Sequence, residues 1–368
     1  MAGPSHTGDE ASDWSFDLGD YESYTYRHDN WTEDSSSHAI AWPLGWNFIV
    51  LFVMAVFGIV ANSALLMVIV FNRQLRTIAN ILVGNLAVAD LIMFVFNVPS
   101  DIVHWHVFNW PDTGLGNFLC KLSGGVWTLA QVLCVASLTA VSIERYCALR
   151  WQLHTKRTLV ILVSVWVISL VSSVPVMVWA TVIRYDQQFS LCHILPMWQN
   201  SPARTFVTVG FVLQYLLPLL VITCCYVGMA AILARSGAAS TAAAHARRRL
   251  AIAVLILNIS FAVCWLPNHA LILHFLYADF HAIASISLEV YLTLFQIAHV
   301  LTYVNSCLNP VIVFTISVVH RQSLVHFLRC CLRSEATSVD GNADPNDRYA
   351  RVPEDIVVSE TEDVEEKA

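Results

Sequence analysis

The sequence predicts an all-α fold, a bundle of seven membrane-spanning helices followed by a short amphipathic helix on the membrane surface. Hydrophobic residues make up 57% of the 368 residues and charged residues only 13%, about half the share usual in soluble proteins. Seven mostly apolar windows are each long enough to cross a bilayer. Their predicted ranges are 46–71, 78–103, 119–149, 159–182, 205–233, 250–276 and 287–314.

Charge divides the chain into regions. Residues 1–34 carry nine acids and one base, and residues 334–368 carry eleven acids and three bases, so each end has a net charge of −8. The part between them has seven acids and sixteen bases, a net charge of +9. Acidic ends around a basic, apolar centre exclude a soluble globular enzyme, a disordered chain and a collagen-like repeat.

Four regions follow from these patterns. We expect an extracellular acidic tail over 1–45 and a transmembrane domain over 46–318. An amphipathic helix is expected over 319–331, because Leu324, Phe327 and Leu328 have helical spacing. The acidic composition of 332–368 predicts a disordered cytoplasmic tail.

The positions of lysine and arginine predict the orientation, since cytoplasmic loops attract basic residues. Only Lys121, Arg184 and Arg204 lie at one side of the predicted bundle. Twelve basic residues lie at the other side, namely Arg73, Arg76, Arg150, Lys156, Arg157, Arg235, Arg247, Arg248, Arg249, Arg321, Arg329 and Arg333. We therefore expect a plasma-membrane protein with its amino terminus outside. No apolar segment precedes residue 40, so the first span is expected to act as its own insertion signal.

Several predicted modifications depend on this orientation. Asn30 begins an Asn-Trp-Thr glycosylation sequon on the outer tail. Of ten cysteines, only Cys120 and Cys192 fall at the outer side, where oxidising conditions favour pairing. Cys330 and Cys331 lie beside the inner face and are either palmitoylated or free thiols. The acidic context of Tyr21, Tyr24 and Tyr26 suits tyrosine sulfation.

Each predicted span carries a polar, aromatic or proline anchor, although polar groups are rare in lipid. In chain order the anchors are Asn62; Asn85 and Asp90; Glu144, Arg145 and Tyr146; Trp166; Pro218 and Tyr226; Phe261, Trp265 and Pro267; and Asn305, Ser306, Asn309 and Pro310. With this order and spacing, the chain resembles the rhodopsin-like family of G-protein-coupled receptors over 46–331. The run Cys-Trp-Leu-Pro-Asn-His at 264–269 looks like bombesin-, galanin- and allatostatin-type neuropeptide receptors.

The resemblance implies roles for the inner anchors and for the outer cysteines. Cys120 and Cys192 would form a disulfide. Glu144 and Arg145 would form an inactive-state latch that opens to contact a heterotrimeric G protein, although a purely structural ion pair is the alternative. The same contact surface would include Tyr146, Tyr226, Arg247, Arg248 and Arg249.

A second implied group would act as the activation switch. Its members are Phe261, Trp265, Pro267, Asn309 and Pro310. The two prolines remove helical hydrogen bonds and permit kinks. The alternative for the two aromatic residues is ordinary core packing.

Asp90 is a lone carboxylate near the middle of the membrane, so it must be protonated, hydrogen-bonded or paired with a cation. The resemblance implies an allosteric sodium ion held by Asp90 and by Asn305, Ser306 and Asn309. Cys134 stands where the family often has serine, which weakens this ligand set. A second departure is Val313, which stands where the family has tyrosine; either the active state is less favoured or Phe314 substitutes sterically.

Two positions limit the ligand class. Trp127 stands where amine receptors carry an aspartate, and Tyr303 stands where visual pigments carry a lysine, so biogenic amines and retinal are not expected. The residues predicted to line the ligand site are polar but mostly uncharged, which suits a peptide. They are Asp101, Trp127, Gln131, Arg184, His193, Asn268, His269 and Tyr303. For each polar position, hydrogen bonding between helices is the alternative role.

The predicted function is therefore a receptor for a neuropeptide or peptide hormone, with G protein, receptor kinases and arrestin as partners. The acidic outer tail either attracts a basic ligand or is only solvated. A lipid or small organic ligand is the alternative within this class. A transporter or channel would have internal repeats and broken helices, and a membrane enzyme would have a carboxylate pair or metal cluster. No catalytic residue, further cofactor or nucleic-acid partner is expected.

Overall fold

The computed structural model describes residues 42–106, 110–150, 157–186, 189–194, 202–235, 242–277 and 288–339. Within these ranges the chain forms α-helices and one β-hairpin. The helices are α1 (Trp42–Phe71), α2 (Ile78–Ile92), α3 (Val98–His106), α4 (Gly114–Arg150), α5 (Arg157–Trp179), α6 (Pro202–Phe211), α7 (Leu217–Arg235), α8 (Ala242–Tyr277), α9 (Leu288–Ile316) and α10 (Val318–Val339). The chain separates into two units, Met1–Gly45 and Trp46–Ala368, and every contact discussed below lies within the second.

Seven stretches of these helices are long and apolar enough to cross a membrane, so the chain is a multi-pass membrane protein and the predicted seven-span fold is confirmed. Spans one, three, four, six and seven are α1, α4, α5, α8 and α9; span two combines α2 with α3, and span five combines α6 with α7. Span three is central because it packs against spans two, four, five and six. Spans one and four leave many large apolar side chains on the outside, as lipid-facing helices do.

Spans two and five each contain a π-helical turn, over Met93–Asn97 and Val212–Leu216. Pro99 and Pro218 follow these turns and have no backbone N–H with which to bond the fourth preceding residue. The backbone N–H of Val98 instead bonds the carbonyl of Met93, and that of Leu217 bonds the carbonyl of Val212. Such turns are frequent at functional sites, and these two lie in the half of the bundle that contains the cavity described below.

A hairpin joins spans four and five. Strands β1 (Thr181–Asp186) and β2 (Phe189–His193) pair antiparallel, with Val182 opposite Cys192. The predicted fourth span extended to residue 182, but α5 ends at Trp179 because the β-branched run that follows pairs in the hairpin. We call this end of the bundle the disulfide end and the opposite end, around Glu144 and Arg145, the Arg145 end.

The disulfide between Cys120 and Cys192 joins the hairpin to span three, with the two Cα atoms 5.6 Å apart. The predicted pairing is thus confirmed. Trp110 supports it from the connection between spans two and three. Its backbone N–H donates to the carbonyl of Ser190 at 2.8 Å, and its indole N–H donates to the carbonyl of Gly116 at 2.8 Å.

The last helix, α10, follows span seven after Ser317. The Ser317 hydroxyl accepts the backbone N–H of His320 at 3.5 Å, which caps the new helix. The helix extends to Val339 and not only to the predicted 331, because no glycine or proline interrupts the sequence before Gly341. Asn72 donates to the Ser323 hydroxyl at 2.8 Å, and Phe71 stacks on Phe327, so α10 lies against the end of α1.

Candidate functional site

A cavity of about 260 Å³ lies among the spans at the disulfide end. Seven uncharged polar residues line it, namely Asn97, Ser100, Ser123, Thr128, Gln131, Gln214 and Asn268. The two π turns contribute Asn97 and Gln214 to this wall. Its titratable residues are Asp101, His269 and His299, and no lysine or arginine belongs to the wall in the described part of the chain.

Asp101 connects three spans at the cavity wall. Its Oδ2 accepts the Tyr303 hydroxyl at 2.5 Å and lies 2.7 Å from Nε2 of His299. The His299 ring stacks on Trp127 of span three, with ring centroids 4.3 Å apart and planes at 11°. The Asp101 side chain keeps 16% of its surface exposed, and its Oδ1 makes no hydrogen bond among the described residues. One carboxyl oxygen in the cavity wall is therefore without a partner in the described part of the chain.

Aromatic contacts connect the cavity to the predicted activation switch. The ring of Trp265 lies 6.1 Å from Trp127 and 6.1 Å from His269, both of which line the cavity. The ring of Phe261 lies 5.9 Å from Trp265 and is fully buried. Pro267 lies inside the same helix. A ligand that displaces Trp127 or His269 would therefore push on Trp265 beside the proline.

The structure brings five of the eight predicted ligand residues to the cavity wall, namely Asp101, Trp127, Gln131, Asn268 and His269. Tyr303 is fully buried and acts on the cavity through Asp101. Arg184 is exposed on β1 and forms an ion pair with Asp112 at 2.6 Å. His193 is half-buried at the end of β2, where burial lowers its pKa below the usual range.

Sequence reasoning missed His299, which has a central position in the cavity wall. Its spacing could have predicted this position. His299 precedes Tyr303 by four residues and so shares a helical face with a residue already predicted to face inward. It also missed the aromatic wall formed by Phe206, Phe211 and Phe295. These residues lie in apolar runs where their side-chain direction has no local marker.

The predicted ion pocket lies deeper in the bundle. Asn309 donates to Oδ2 of Asp90 at 2.8 Å, and the Ser306 side chain lies close enough to stabilise the charged form of this carboxylate. Asn305 turns elsewhere, because its amide donates toward Cys134 at 3.9 Å and its oxygen accepts the Ser260 hydroxyl at 3.0 Å. Oδ1 of Asp90 is buried with no hydrogen-bond partner in the described ranges.

The Arg145 end is packed. Nε of Arg145 lies 3.5 Å from Oε2 of Glu144, too far for a charge-assisted hydrogen bond, and neither atom has another partner among the residues described. The Tyr226 hydroxyl donates to the carbonyl of Ala251 at 3.1 Å, which ties span five to span six. Tyr146 packs closely over Gly228, where an added Cβ would lie 2.5 Å from the ring. Val313 is buried in the hydrophobic core.

Some predicted sites lie outside the described residues. Asn30, Tyr21, Tyr24 and Tyr26 precede the first described range. The backbones of Arg247, Arg248, Cys330 and Cys331 are helical, but their side chains are not among those described. Arg249 is exposed at the Arg145 end, and Pro310 lies inside α9 beside Asn309.

Comparison with known proteins identifies the family. Residues 61–312 match the sequence model of the 7 transmembrane receptor (rhodopsin family). The chain is 30% identical to galanin receptor type 2 of Homo sapiens over 272 residues, which cover 71% of this chain and 67% of that receptor. It is 28% identical to the neuropeptide CCHamide-1 receptor of Drosophila melanogaster, and the match covers 75% of this chain but only 58% of that receptor. Bombesin receptor subtype-3 of Ovis aries is 26% identical, with 80% and 78% covered. The chain therefore belongs to the rhodopsin family of seven-transmembrane receptors.

Proposed function

We propose that this chain is a cell-surface receptor that binds a peptide at the disulfide end and activates a heterotrimeric G protein at the Arg145 end. The observation that carries the proposal is the polar cavity joined by ring contacts to Trp265. The relatives support the ligand class, since they are named as receptors for galanin, bombesin and the neuropeptide CCHamide-1. The disulfide supports an extracellular disulfide end, because such bonds persist in oxidising surroundings.

The side chains of the cavity wall limit which peptides are expected to bind. Its wall has one carboxylate, several amides and hydroxyls, and no described lysine or arginine, which favours a cationic or neutral segment over an acidic one. The net charge of −8 on residues 1–34 would attract the same basic ligand before it binds. A volume of about 260 Å³ admits only one end of a peptide, so the rest would lie against the hairpin.

The signal would pass by a shift between two states of the bundle. A peptide that fits better when Trp127 and His269 move would favour a rearranged Trp265 and a different bend at Pro267. That bend would move the inner half of span six away from span three. Arg145 and its neighbours would then become available to the G protein.

A screen tests this function directly. Cells expressing the chain are exposed to galanin, bombesin, CCHamide-1 and a wider set of neuropeptides, and calcium and cyclic AMP are recorded. We expect agonism by at least one basic peptide that is absent from untransfected cells. Robust agonism by a lipid and by no peptide would overturn the ligand class.

The cavity carboxylate provides a second test with any active peptide. Asp101→Asn removes the charge and should lower the potency of a basic peptide roughly ten-fold or more, since hydrogen bonds to charged groups contribute about 1.5–3 kcal/mol. Asp112→Asn is the matched control, because this acid is exposed and outside the cavity wall. Equal losses in the two variants would contradict the role of Asp101.

A sodium ion at Asp90 is a further part of the proposal. The fit is partial: Asp90 Oδ1 is an unpartnered carboxyl oxygen in the described chain and Ser306 adds a hydroxyl, whereas the Cys134 thiol is a poor partner for a hard cation. We expect sodium to raise the melting temperature of the purified receptor slightly, Cys134→Ser to increase that shift and Asp90→Asn to abolish it. Equal shifts for sodium and a bulky organic cation would exclude a specific site.

The proposed orientation also predicts covalent modifications and the proteins that act on them. We include glycosylation of Asn30, palmitoylation of Cys330 and Cys331, and phosphorylation of the carboxyl-terminal tail by receptor kinases for arrestin binding. Mass spectrometry of receptor purified from animal cells tests each modification separately. Unmodified peptides at all three places would remove this part of the proposal and leave the ligand and G-protein claims unaffected.

A further inference from the structure

The described part of the disulfide end contains three basic side chains, and the chain itself pairs two of them. Arg184 forms its ion pair with Asp112. Nζ of Lys121 donates to two backbone carbonyls at the end of span four, at 3.0 and 3.3 Å. Arg204, near the start of span five, pairs with no acid among the described residues, and its Nε is buried without a hydrogen-bond partner there. One cation at this end therefore lacks a counter-ion.

An aromatic ring of span six holds this guanidinium in place. Cζ of Arg204 lies 4.2 Å from the centroid of the Tyr277 ring. The Tyr277 hydroxyl lies 2.6 Å from the hydroxyl of Thr208, which in turn donates to the backbone carbonyl of Arg204 at 2.9 Å. Arginine stacks on aromatic faces, and a planar group fixed in this way loses little further freedom when it binds an anion. The cation is thus both unpaired and preorganised.

The stacked pair lies at the mouth of the cavity. Arg204 precedes Val207 of the cavity wall by three residues, so it lies about one helical turn farther out on the same face of span five. Tyr277 follows Leu273 of the wall by four residues and lies one turn farther out on span six. Arg204 is half-buried and Tyr277 is exposed. A ligand that extends out of the cavity between spans five and six would therefore meet this guanidinium.

We propose that Arg204 binds a carboxylate of the peptide ligand, an inference that rests on the proposed function. The planar guanidinium presents N–H donors that match the two oxygens of a carboxylate. Asp101 inside the cavity and Arg204 at its mouth would then select a dipolar segment, with the cation inside and the anion outside. The carboxylate belongs either to an aspartate or glutamate side chain of the peptide or to its free carboxyl terminus.

Two synthetic libraries of random linear dodecapeptides test this site. One library has free carboxyl termini and the other has amidated termini. Each is mixed with purified receptor in phosphatidylcholine nanodiscs, and the bound peptides are identified by mass spectrometry against empty nanodiscs. The receptors are the unaltered chain, Arg204→Gln, Arg204→Glu and Arg73→Gln. Arg73 is an exposed arginine at the Arg145 end, so its substitution is the matched control for the lost charge.

The unaltered receptor and the Arg73→Gln control should select carboxylates. If an acidic side chain is bound, peptides with aspartate or glutamate are enriched from both libraries; if the terminus is bound, free termini are enriched over amidated ones. Arg204→Gln should remove this preference and weaken the binding of the selected peptides roughly ten-fold, as expected for a charge-assisted hydrogen bond. Arg204→Glu should enrich lysine and arginine instead. The same peptides enriched by the unaltered receptor and by Arg204→Gln would overturn the proposal.

Two other roles for Arg204 give different results. If the arginine only joins spans five and six through Tyr277, both Arg204→Gln and Tyr277→Leu lower the melting temperature and leave the enriched residue types unchanged. If it binds the phosphate of a lipid headgroup, Arg204→Gln lowers the melting temperature in phosphatidylcholine nanodiscs but not in dodecyl maltoside, which has no phosphate, and the enriched peptides again stay the same. Either result counts against a carboxylate site.

A second measurement separates failure of this site from failure of the proposed function. If no receptor enriches any peptide over empty nanodiscs, peptide binding itself is wrong. The site is then decided by thermal unfolding in sodium glutarate, a small dicarboxylate, against sodium chloride at equal ionic strength. Glutarate should raise the melting temperature of the unaltered receptor and of Arg73→Gln more than that of Arg204→Gln. Equal shifts in all three would show that Arg204 binds no carboxylate.

Discussion

The two ends of the bundle treat their polar side chains in opposite ways. At the disulfide end, Tyr303 and His299 of span seven both hydrogen-bond Asp101 of span two, and an open cavity of about 260 Å³ remains beside them. At the Arg145 end the helices are packed, yet Arg145 Nε and His320 Nε2 are buried without hydrogen-bond partners in the described ranges.

Under the proposed function, this difference would place the first rearrangement at the disulfide end and the binding of the G protein at the Arg145 end. The disulfide end is already organised, so a ligand bound there would lose little conformational entropy. The Arg145 end keeps unpaired polar groups, each unfavourable by about 1–3 kcal/mol, which would gain hydrogen bonds if helices moved or a protein bound. Substitutions that weaken one end or the other test this difference.

The largest loss of stability is expected from removing the disulfide bond. Replacing Cys120 and Cys192 together by serine frees a loop with a sequence separation of 72 residues and should lower stability by about 2–5 kcal/mol. Thermal unfolding of the purified receptor measures it. Cys264→Ser, which alters a buried free thiol, is the control. If the double serine variant had the same melting temperature as the control, packing alone would hold the hairpin.

A smaller loss should follow from Tyr303→Phe, which removes one donor to the Asp101 carboxylate. Hydrogen bonds to charged groups contribute about 1.5–3 kcal/mol, and His299 remains, so we expect the lower part of that range. Tyr277→Phe is matched to it, since that hydroxyl contacts Thr208 at an exposed site and should matter less. Equal melting temperatures for the two variants would mean that the Asp101 cluster does not stabilise this end.

Gly228→Ala tests the packing of the Arg145 end. The new Cβ would lie 2.5 Å from Cε2 of Tyr146, so the ring must move, at a cost of about 1–3 kcal/mol. Gly84→Ala is the control, because its Cβ would have no neighbour closer than 3.7 Å and should be neutral or slightly stabilising. If thermal unfolding shows no difference between these variants, the Arg145 end is looser than described.

The smallest effect belongs to Arg184→Gln on the hairpin. Its ion pair with Asp112 is short, 2.6 Å, but the two side chains are 60% and 42% exposed. Such pairs contribute less than about 1 kcal/mol and weaken with salt. Thermal unfolding should show a lower melting temperature for Arg184→Gln than for the unaltered receptor only at low salt. A large loss of melting temperature at both low and high salt would mean that the ion pair, together with the disulfide, holds the hairpin.

The sequence predicted the spans well because their signal is local. A run of apolar residues marks a helix wherever it packs. Helical spacing from a known inward residue also placed Gln131 and Asn268 toward the cavity that the structure contains, and the family resemblance placed Trp127 there. It did not predict the hairpin after Trp179, which depends on pairing between strands, nor the π turns.

The sequence did not predict the contacts that His299, Arg184 and Asn305 make, for one physical reason. His299 became important because it stacks on Trp127 from a different span, and Arg184 left the cavity because Asp112 pairs with it elsewhere. Asn305 turned from Asp90 to Cys134 and Ser260 in the same way. Each outcome is a choice between polar partners that are distant in the chain, and helical periodicity carries no information about such choices.

By itself, the sequence determined the number and order of the spans and the anchor residue in each. These follow from the transfer of apolar segments into lipid, which is a property of each segment alone. Only the tertiary structure decided which polar groups meet and which remain unpaired. Asp101 and His299 are 198 residues apart, so the hydrogen bond between them exists only once the bundle has packed.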